Sequence, residues 1–197
     1  MWHITSNPLI SKIFAVFLTG LVIKMMDDFI DSEYDDMLGK RNLSNVLGRG
    51  ILPYAIFIFS LACLLDPRTS IGLFFSSYIF GMVTDYNVKM PAGLYGYQES
   101  LIVLSLGILL LGFSEITSSL FIMGFVQLWD DLCDYKKEKN CGKNYVKLLG
   151  KVECIILSII CFLSAFYFDA VKTVAASLSA VSIVYIIFLL SSCEEVS

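Results

Sequence analysis

Seven stretches of the chain are nearly unbroken runs of apolar residues: Leu9–Met26, Gly50–Leu65, Ser70–Thr84, Ser100–Gly112, Ile116–Trp129, Cys154–Phe168 and Val171–Leu190. A helix that crosses a bilayer needs about 20 apolar residues, so these runs predict an all-α, multispanning transmembrane bundle of about seven spans. Several runs are shorter than that. Their helices must borrow flanking polar residues or sit in a thinned or well-packed bundle. The fourth and fifth runs are separated only by Phe113-Ser114-Glu115. This reads as a tight turn, with Ser114 capping the fifth helix. One long tilted span over 100–129 is the alternative, and it would put residues 85–99 and 130–150 on opposite sides.

Composition agrees with the pattern. The chain has 197 residues, 57% of them hydrophobic and 16% charged, with a mean hydropathy of +0.75. A soluble domain is about half apolar and about a quarter charged, so the deficit lies in the groups that keep a surface wet. A disordered chain, a basic nucleic-acid-binding domain and a soluble enzyme are excluded on these grounds. An integral membrane protein is what remains. The first run ends in Met25-Met26-Asp27-Asp28 without a small-residue cleavage site, so it reads as a retained helix rather than a secretory signal. Cys63, Cys133, Cys141, Cys154, Cys161 and Cys193 show no paired C-x-x-C spacing, and the only histidine is His3. The cysteines read as small hydrophobes rather than zinc ligands.

Charge sets the expected orientation. Lys40, Arg41, Arg49, Lys89, Lys136, Lys137, Lys139, Lys143, Lys147 and Lys151 all fall on one face if there are seven spans, while the opposite connections hold only Arg68 and Lys172. The positive-inside rule makes the basic face cytoplasmic, with the N-terminus outside and Cys193-Glu194-Glu195 inside. The same parity gathers Asp27, Asp28, Asp31, Glu33, Asp35 and Asp36 with Asp85, Glu99, Asp130, Asp131, Asp134 and Glu138. Acidic and basic groups are thus concentrated at one mouth of the bundle, although the net charge is only −4.

Two acidic segments carry the chemistry. Asp27, Asp31 and Asp35 are spaced by four, and so are Asp130, Asp134 and Glu138; both segments read Asp-Asp-x-x-Asp. On a continuing helix such carboxylates form a stripe about 6 Å apart along the axis. Like charges at that spacing repel, and a divalent cation offsets the repulsion. Mg²⁺ is usually held by one or two carboxylates and completes its octahedron with water and phosphate oxygens. Two such stripes facing one mouth suit a diphosphate, whose departure the metal stabilises as a Lewis acid. An isoprenyl tail would occupy the apolar bundle. Tyr86 and Lys89 follow the third run, where a lysine ammonium meets phosphate as a point charge and a tyrosine lines the allylic end. Pro91-Ala92-Gly93-Leu94-Tyr95-Gly96-Tyr97 reads as an interfacial loop or short lid that would exclude water from a reactive cation.

With these residues the chain resembles the UbiA-type intramembrane prenyltransferase superfamily, over about Leu9 to Leu190. Members carry Asn/Asp-Asp-x-x-Asp-x-x-x-Asp after one helix, matched by Asp27-Asp28-Phe29-Ile30-Asp31-Ser32-Glu33-Tyr34-Asp35. A second family motif, Asp-x-x-x-Asp with further acids, is similar to Asp130–Asp134 with Glu138. A tyrosine–lysine element between the motifs is similar to Tyr86 and Lys89. Gly39-Lys40-Arg41 and Gly142-Lys143 resemble the basic and glycine punctuation that follows each motif. The resemblance implies that Asp27, Asp28, Asp31, Asp35, Asp130, Asp131, Asp134 and Glu138 surround Mg²⁺, that Lys89, Arg41 and Lys40 contact the diphosphate, and that Asp28, Asp31, Lys89 and Tyr86 serve catalysis. The chain departs from the family in having Asp27 for the usual Asn and about two spans fewer.

The expected activity is Mg²⁺-dependent transfer of a prenyl chain from an allylic isoprenyl diphosphate to an aromatic or lipid-precursor acceptor in the membrane. A terpene cyclase of the same superfamily would use the diphosphate without an acceptor. A non-catalytic divalent-cation-binding membrane protein is the reading from a different class. CDP-alcohol phosphotransferases need an Asp-Gly-x-x-Ala-Arg start, which is absent, and soluble isoprenyl diphosphate synthases are not this apolar. The partners expected are the isoprenyl diphosphate, an acceptor and membrane lipid, with no nucleic acid. The chain reads as one transmembrane domain over 1–197, with no repetition visible beyond the two acidic motifs. Acceptor, prenyl length and oligomeric state are not written in these residues.

Overall fold

The computed structural model describes residues 7–33, 37, 42–84, 87–135 and 145–194. Among them the chain is all-helical, with no strand. Helix α1 (Pro8–Ile30) is followed by a single-turn helix α2 (Leu43–Leu47), a 3₁₀ turn (Gly48–Gly50), α3 (Ile51–Leu65) and α4 (Pro67–Thr84). Then come α5 (Gly96–Leu111), α6 (Phe113–Asp134), the short α7 (Tyr145–Leu149), α8 (Lys151–Phe168) and α9 (Ala170–Glu194). All seven apolar runs are therefore helical, and most extend past the apolar run into flanking polar residues. Four segments are long and apolar enough to cross a membrane: Pro8–Ile30, Leu43–Leu65, Lys151–Phe168 and Ala170–Ile187. Gly96–Leu111 is a shorter apolar helix. Large apolar side chains on the long helices stay outside the packing, among them Ile156, Ile159 and Leu163 on α8 and Leu109 on α5. Contiguous exposure of that kind suits lipid rather than water.

The turn between α5 and α6 differs from the sequence expectation. Ser114 does not cap α6; the break falls at Gly112 alone, and Ser114 lies in the first turn of the helix. Gly112 has φ 93° and ψ 156°, a backbone state that an L side chain resists, and this lets one residue reverse the chain. The two helices then fold back closely. A Cβ at Gly107 would lie 2.5 Å from Ile116 Cδ1, so the absence of a side chain there is what lets α5 meet α6. One long span over 100–129 is thereby replaced by two helices.

Packing divides the chain into two compact units, one of Met1–Ser70 with Val174–Ser197 and one of Ile71–Thr173. In the first, α1 lies along α3, and Gly20 of α1 leaves room for Ile183 of α9. In the second, α6 lies along α8. Gly72 of α4 admits the Ser119 hydroxyl of α6, and Gly124 of α6 admits Phe80 and Cys161. Small residues at helix crossings are what close packing in lipid requires, because no hydrophobic drive separates helix from tail.

The two principal helix pairs are built on one plan, which the sequence reading found only in the acidic motifs. Ala15, Val16, Thr19, Met25 and Asp28 are buried in α1; Ser118, Ser119, Ile122, Leu128 and Asp131, at one constant sequence interval from them, are buried in α6. The three buried residues of α3 (Ile51, Ala55, Ala62) match those of α8 (Cys154, Ser158, Ala165) at the same interval. Both helices end on an aspartate in the same extended conformation, Asp66 with φ −151° and ψ 92° and Asp169 with φ −155° and ψ 92°. Each of these aspartates then accepts backbone N–H groups at the start of the next helix, from Thr69 and Ser70 in one case and Lys172 and Thr173 in the other. Segment α1–α4 and segment α6–α9 are thus two copies of one helical unit, with α5 between them in the chain.

Candidate functional site

Each acidic motif sits at the C-terminal end of the first helix of its copy. At the end of α1, Asp31 is the C-cap residue and its N–H donates to Asp27 O at 2.9 Å, so Asp27 and Asp31 lie one turn apart, both exposed. Asp28 points the other way and is 2% exposed. One carboxylate oxygen, Oδ1, is 2.8 Å from Lys24 Nζ; the other, Oδ2, accepts the N–H of Leu43 at 2.9 Å. Lys24 also lies 3.0 Å from Asp27 Oδ2, so one ammonium answers two adjacent carboxylates. A buried carboxylate is tolerated when both oxygens are satisfied in this way.

Asn42 completes the joint. Its Nδ2 donates to the Asp28 carbonyl at 2.8 Å, while its Oδ1 accepts the Ser44 N–H at 2.7 Å as the N-cap of α2. The end of α1 and the start of α2 therefore exchange bonds: the first offers a carbonyl and a carboxylate, the second an amide and a backbone N–H. This ties off termini that would otherwise be left with unpaired polar groups. Gly48, at φ 50°, closes the short helix with its N–H on Ser44 O.

The second copy repeats the joint. Helix α6 runs to Asp134, which places Asp130 and Asp134 one turn apart on its last turns, Asp130 exposed and Asp134 half-buried. Asp131 is 8% exposed, and its Oδ2 accepts the Tyr145 N–H of α7 at 2.7 Å. Gly150, at φ 106°, closes α7 with its N–H on Val146 O at 3.1 Å. Leu128, Val146 and Cys154 form the apolar floor beneath this joint, with Tyr145 packed against them. Burial, and after it the Asp131 carboxylate, pushes the Tyr145 phenol above its ordinary value. Where α1 has Lys24, the matching position of α6 is Gln127.

Lys89 is exposed at the base of a small antiparallel turn. It bridges to Tyr95, with Gly96 N–H on Val88 O at 3.2 Å and Met90 N–H on Leu94 O at 2.8 Å. Gly93, at φ 85°, makes the tip. The glycine- and tyrosine-rich segment is thus an ordered turn, with the rings of Tyr95 and Tyr97 stacked at 5.9 Å. Behind it, the Tyr78 hydroxyl donates to Glu99 and joins α4 to α5. Asp35, Lys40, Arg41, Tyr86 and Glu138 lie outside the described residues.

Among the described residues, no three His, Cys, Asp or Glu side chains are grouped closely enough to hold a metal ion by themselves. The donor set at each helix end is two carboxylates one turn apart. That matches an ion which takes one or two carboxylates and fills its remaining positions with water and phosphate oxygens, as Mg²⁺ does, and not one that needs a closed protein cage. Sequence reasoning named the acids but missed their partners. Lys24 as counter-ion, Asn42 as the joint, and the Leu43 and Tyr145 amides were unassigned. The Asn42-Leu43 start with Gly48 after the short helix was a legible cap signature. The chain matches no protein-family model, no curated protein and no solved structure.

Proposed function

We propose that the protein is a Mg²⁺-dependent integral membrane prenyltransferase with seven spans and both acidic helix ends on the cytoplasmic side. The observation that carries this reading is the repeated helix end: a pair of aspartates one turn apart, Asp27 with Asp31 and Asp130 with Asp134, in two copies of one apolar unit. If every long helix crosses once, α1 and α6 run in the same direction and end on one side, where the basic segments also lie.

In this reading the carboxylates of each pair would hold Mg²⁺, and Lys89, with Lys40 and Arg41, would contact the diphosphate. The chemistry the ion would supply when bound is charge neutralisation of the departing diphosphate. The allylic C–O bond breaks with its electron pair leaving on the diphosphate. The acceptor nucleophile then bonds to the allylic carbon and loses a proton. Apolar helices shield the cation from water.

The test is diphosphate release by protein in nanodiscs supplied with Mg²⁺ and allylic diphosphates of increasing length. Release that needs Mg²⁺, favours one length and is lost in Asp31→Ala and in Asp134→Ala supports the assignment. Wild-type release in both variants overturns it. Addition of acceptors separates a transferase from a cyclase, which forms product from the diphosphate alone.

A further inference from the structure

We infer that Asp28 and Asp131 are positioning residues, the paired anchors that hold the segment following each acidic helix end, and that they stand outside the cation shell. Both are the second aspartate of an Asp-Asp-x-x-Asp motif, and both are buried while the first stays exposed. Both spend a carboxylate oxygen on the first backbone N–H of the next short helix, Leu43 at 2.9 Å and Tyr145 at 2.7 Å. The two segments share few side chains, and the donor falls 15 residues on in one copy and 14 in the other, yet burial of the aspartate and its bond to the first amide of the short helix recur in both. Asp28 has its second oxygen on Lys24 as well, so both of its oxygens are engaged within the protein at a site that is 2% exposed.

The division of labour follows from helix geometry. Residues i and i+4 share a face while i+1 is turned about 100° away. A motif with acids at i, i+1 and i+4 therefore presents two carboxylates together and sends the third inward. The inward one accepts a backbone N–H 15 positions further on in the first copy and 14 positions further on in the second. The intervening residues include Gly39-Lys40-Arg41 and Gly142-Lys143. The anchoring stands on the geometry alone; the exclusion from the cation shell rests on the function proposed above.

Asparagine separates the two roles, because it keeps an acceptor oxygen for the backbone N–H but is a poor Mg²⁺ ligand. Full-length protein in nanodiscs is compared as wild type, Asp28→Asn, Asp28→Ala, Asp131→Asn, Asp131→Ala, Asp31→Asn and Asp134→Asn. Amide hydrogen exchange over 42–47 and 145–149 reads the anchor, and Mn²⁺ titration reads the cation. Exchange at the anchored segment rises at least about tenfold in each Ala variant and stays near wild type in each Asn variant, since only the Ala variants lose the acceptor of the anchoring N–H. Mn²⁺ affinity falls about tenfold or more in Asp31→Asn and Asp134→Asn, and by less than about threefold in Asp28→Asn and Asp131→Asn. Unchanged exchange in both Ala variants overturns the anchoring. Loss of Mn²⁺ affinity in Asp28→Asn and Asp131→Asn equal to that in Asp31→Asn overturns their exclusion from the shell. A wild type that binds no Mn²⁺ contradicts the proposed function, while the exchange result still decides the anchoring.

Discussion

At the scale of single residues, environment sorts side chains that are identical in type. Asp27 and Asp28 are neighbours, yet one is exposed and the other is 2% exposed with a lysine on one oxygen and a backbone amide on the other. Lys24 is partly exposed and Asp28 keeps the Leu43 N–H, so the cost of losing the lysine falls below that of a fully buried pair; Lys24→Met should still destabilise the protein more than Lys12→Met, measured by thermal unfolding in detergent. The Tyr145 phenol is raised by burial and then by Asp131, so the folded state holds its proton more tightly than the unfolded state does. The sign follows. The contribution is complete below the ordinary tyrosine value of about 10 and is lost as pH rises beyond it. Tyr145→Phe should therefore flatten the loss of stability above about pH 10, and an unchanged alkaline profile would contradict that assignment. The acids were legible in sequence as a pattern of fours. Which of them turns inward was not, because that depends on where α1 and α6 stop and on an amide 14 or 15 residues away.

At the scale of elements, hydrophobic run length gave every long helix, and polar flanks hid the ends. Helix α6 continues from Trp129 to Asp134, and the following segment ties back to it through the Tyr145 N–H on Asp131. The apolar runs put the α5–α6 boundary at Phe113–Glu115, whereas backbone freedom puts it at Gly112. Gly107→Leu should disrupt this hairpin, since even a Cβ meets Ile116. Expected is a loss of several °C in unfolding temperature, with Gly81→Leu, where a Cβ meets nothing, as the control. The start of α9 carries a fully buried cation. Lys172 Nζ, inaccessible to solvent, reaches Glu115, Ser118 Oγ at 3.0 Å and Ser119 Oγ at 2.6 Å on α6. An ionisable group among apolar helices is retained there only with such partners. Lys172→Met should cost about 3–5 kcal/mol, and adding Glu115→Gln should recover part of it in a double-mutant cycle. Nothing in the sequence joined residues so far apart.

At the scale of the molecule, the chain is a duplicated helical unit whose copies share burial register, aspartate-ended helices and a buried aspartate that accepts an amide of the next short helix. The repetition escaped the sequence because it is written in burial more than in identity: Thr19 corresponds to Ile122, Ile51 to Cys154, and Val16 to Ser119. Lipid tolerates such exchanges so long as size and helix contact are kept. The acids were the part of the repeat held by chemistry, and they were the part that could be read. The proposed function requires that each acidic helix end contribute to Mg²⁺-dependent binding of a lipid-tailed diphosphate. Equilibrium binding of a radiolabelled allylic diphosphate to the protein in nanodiscs, with and without Mg²⁺, tests it most directly. Saturable binding that requires Mg²⁺ and is lost in both Asp31→Ala and Asp134→Ala is the predicted result. Binding that ignores Mg²⁺, or that survives either substitution, would contradict it.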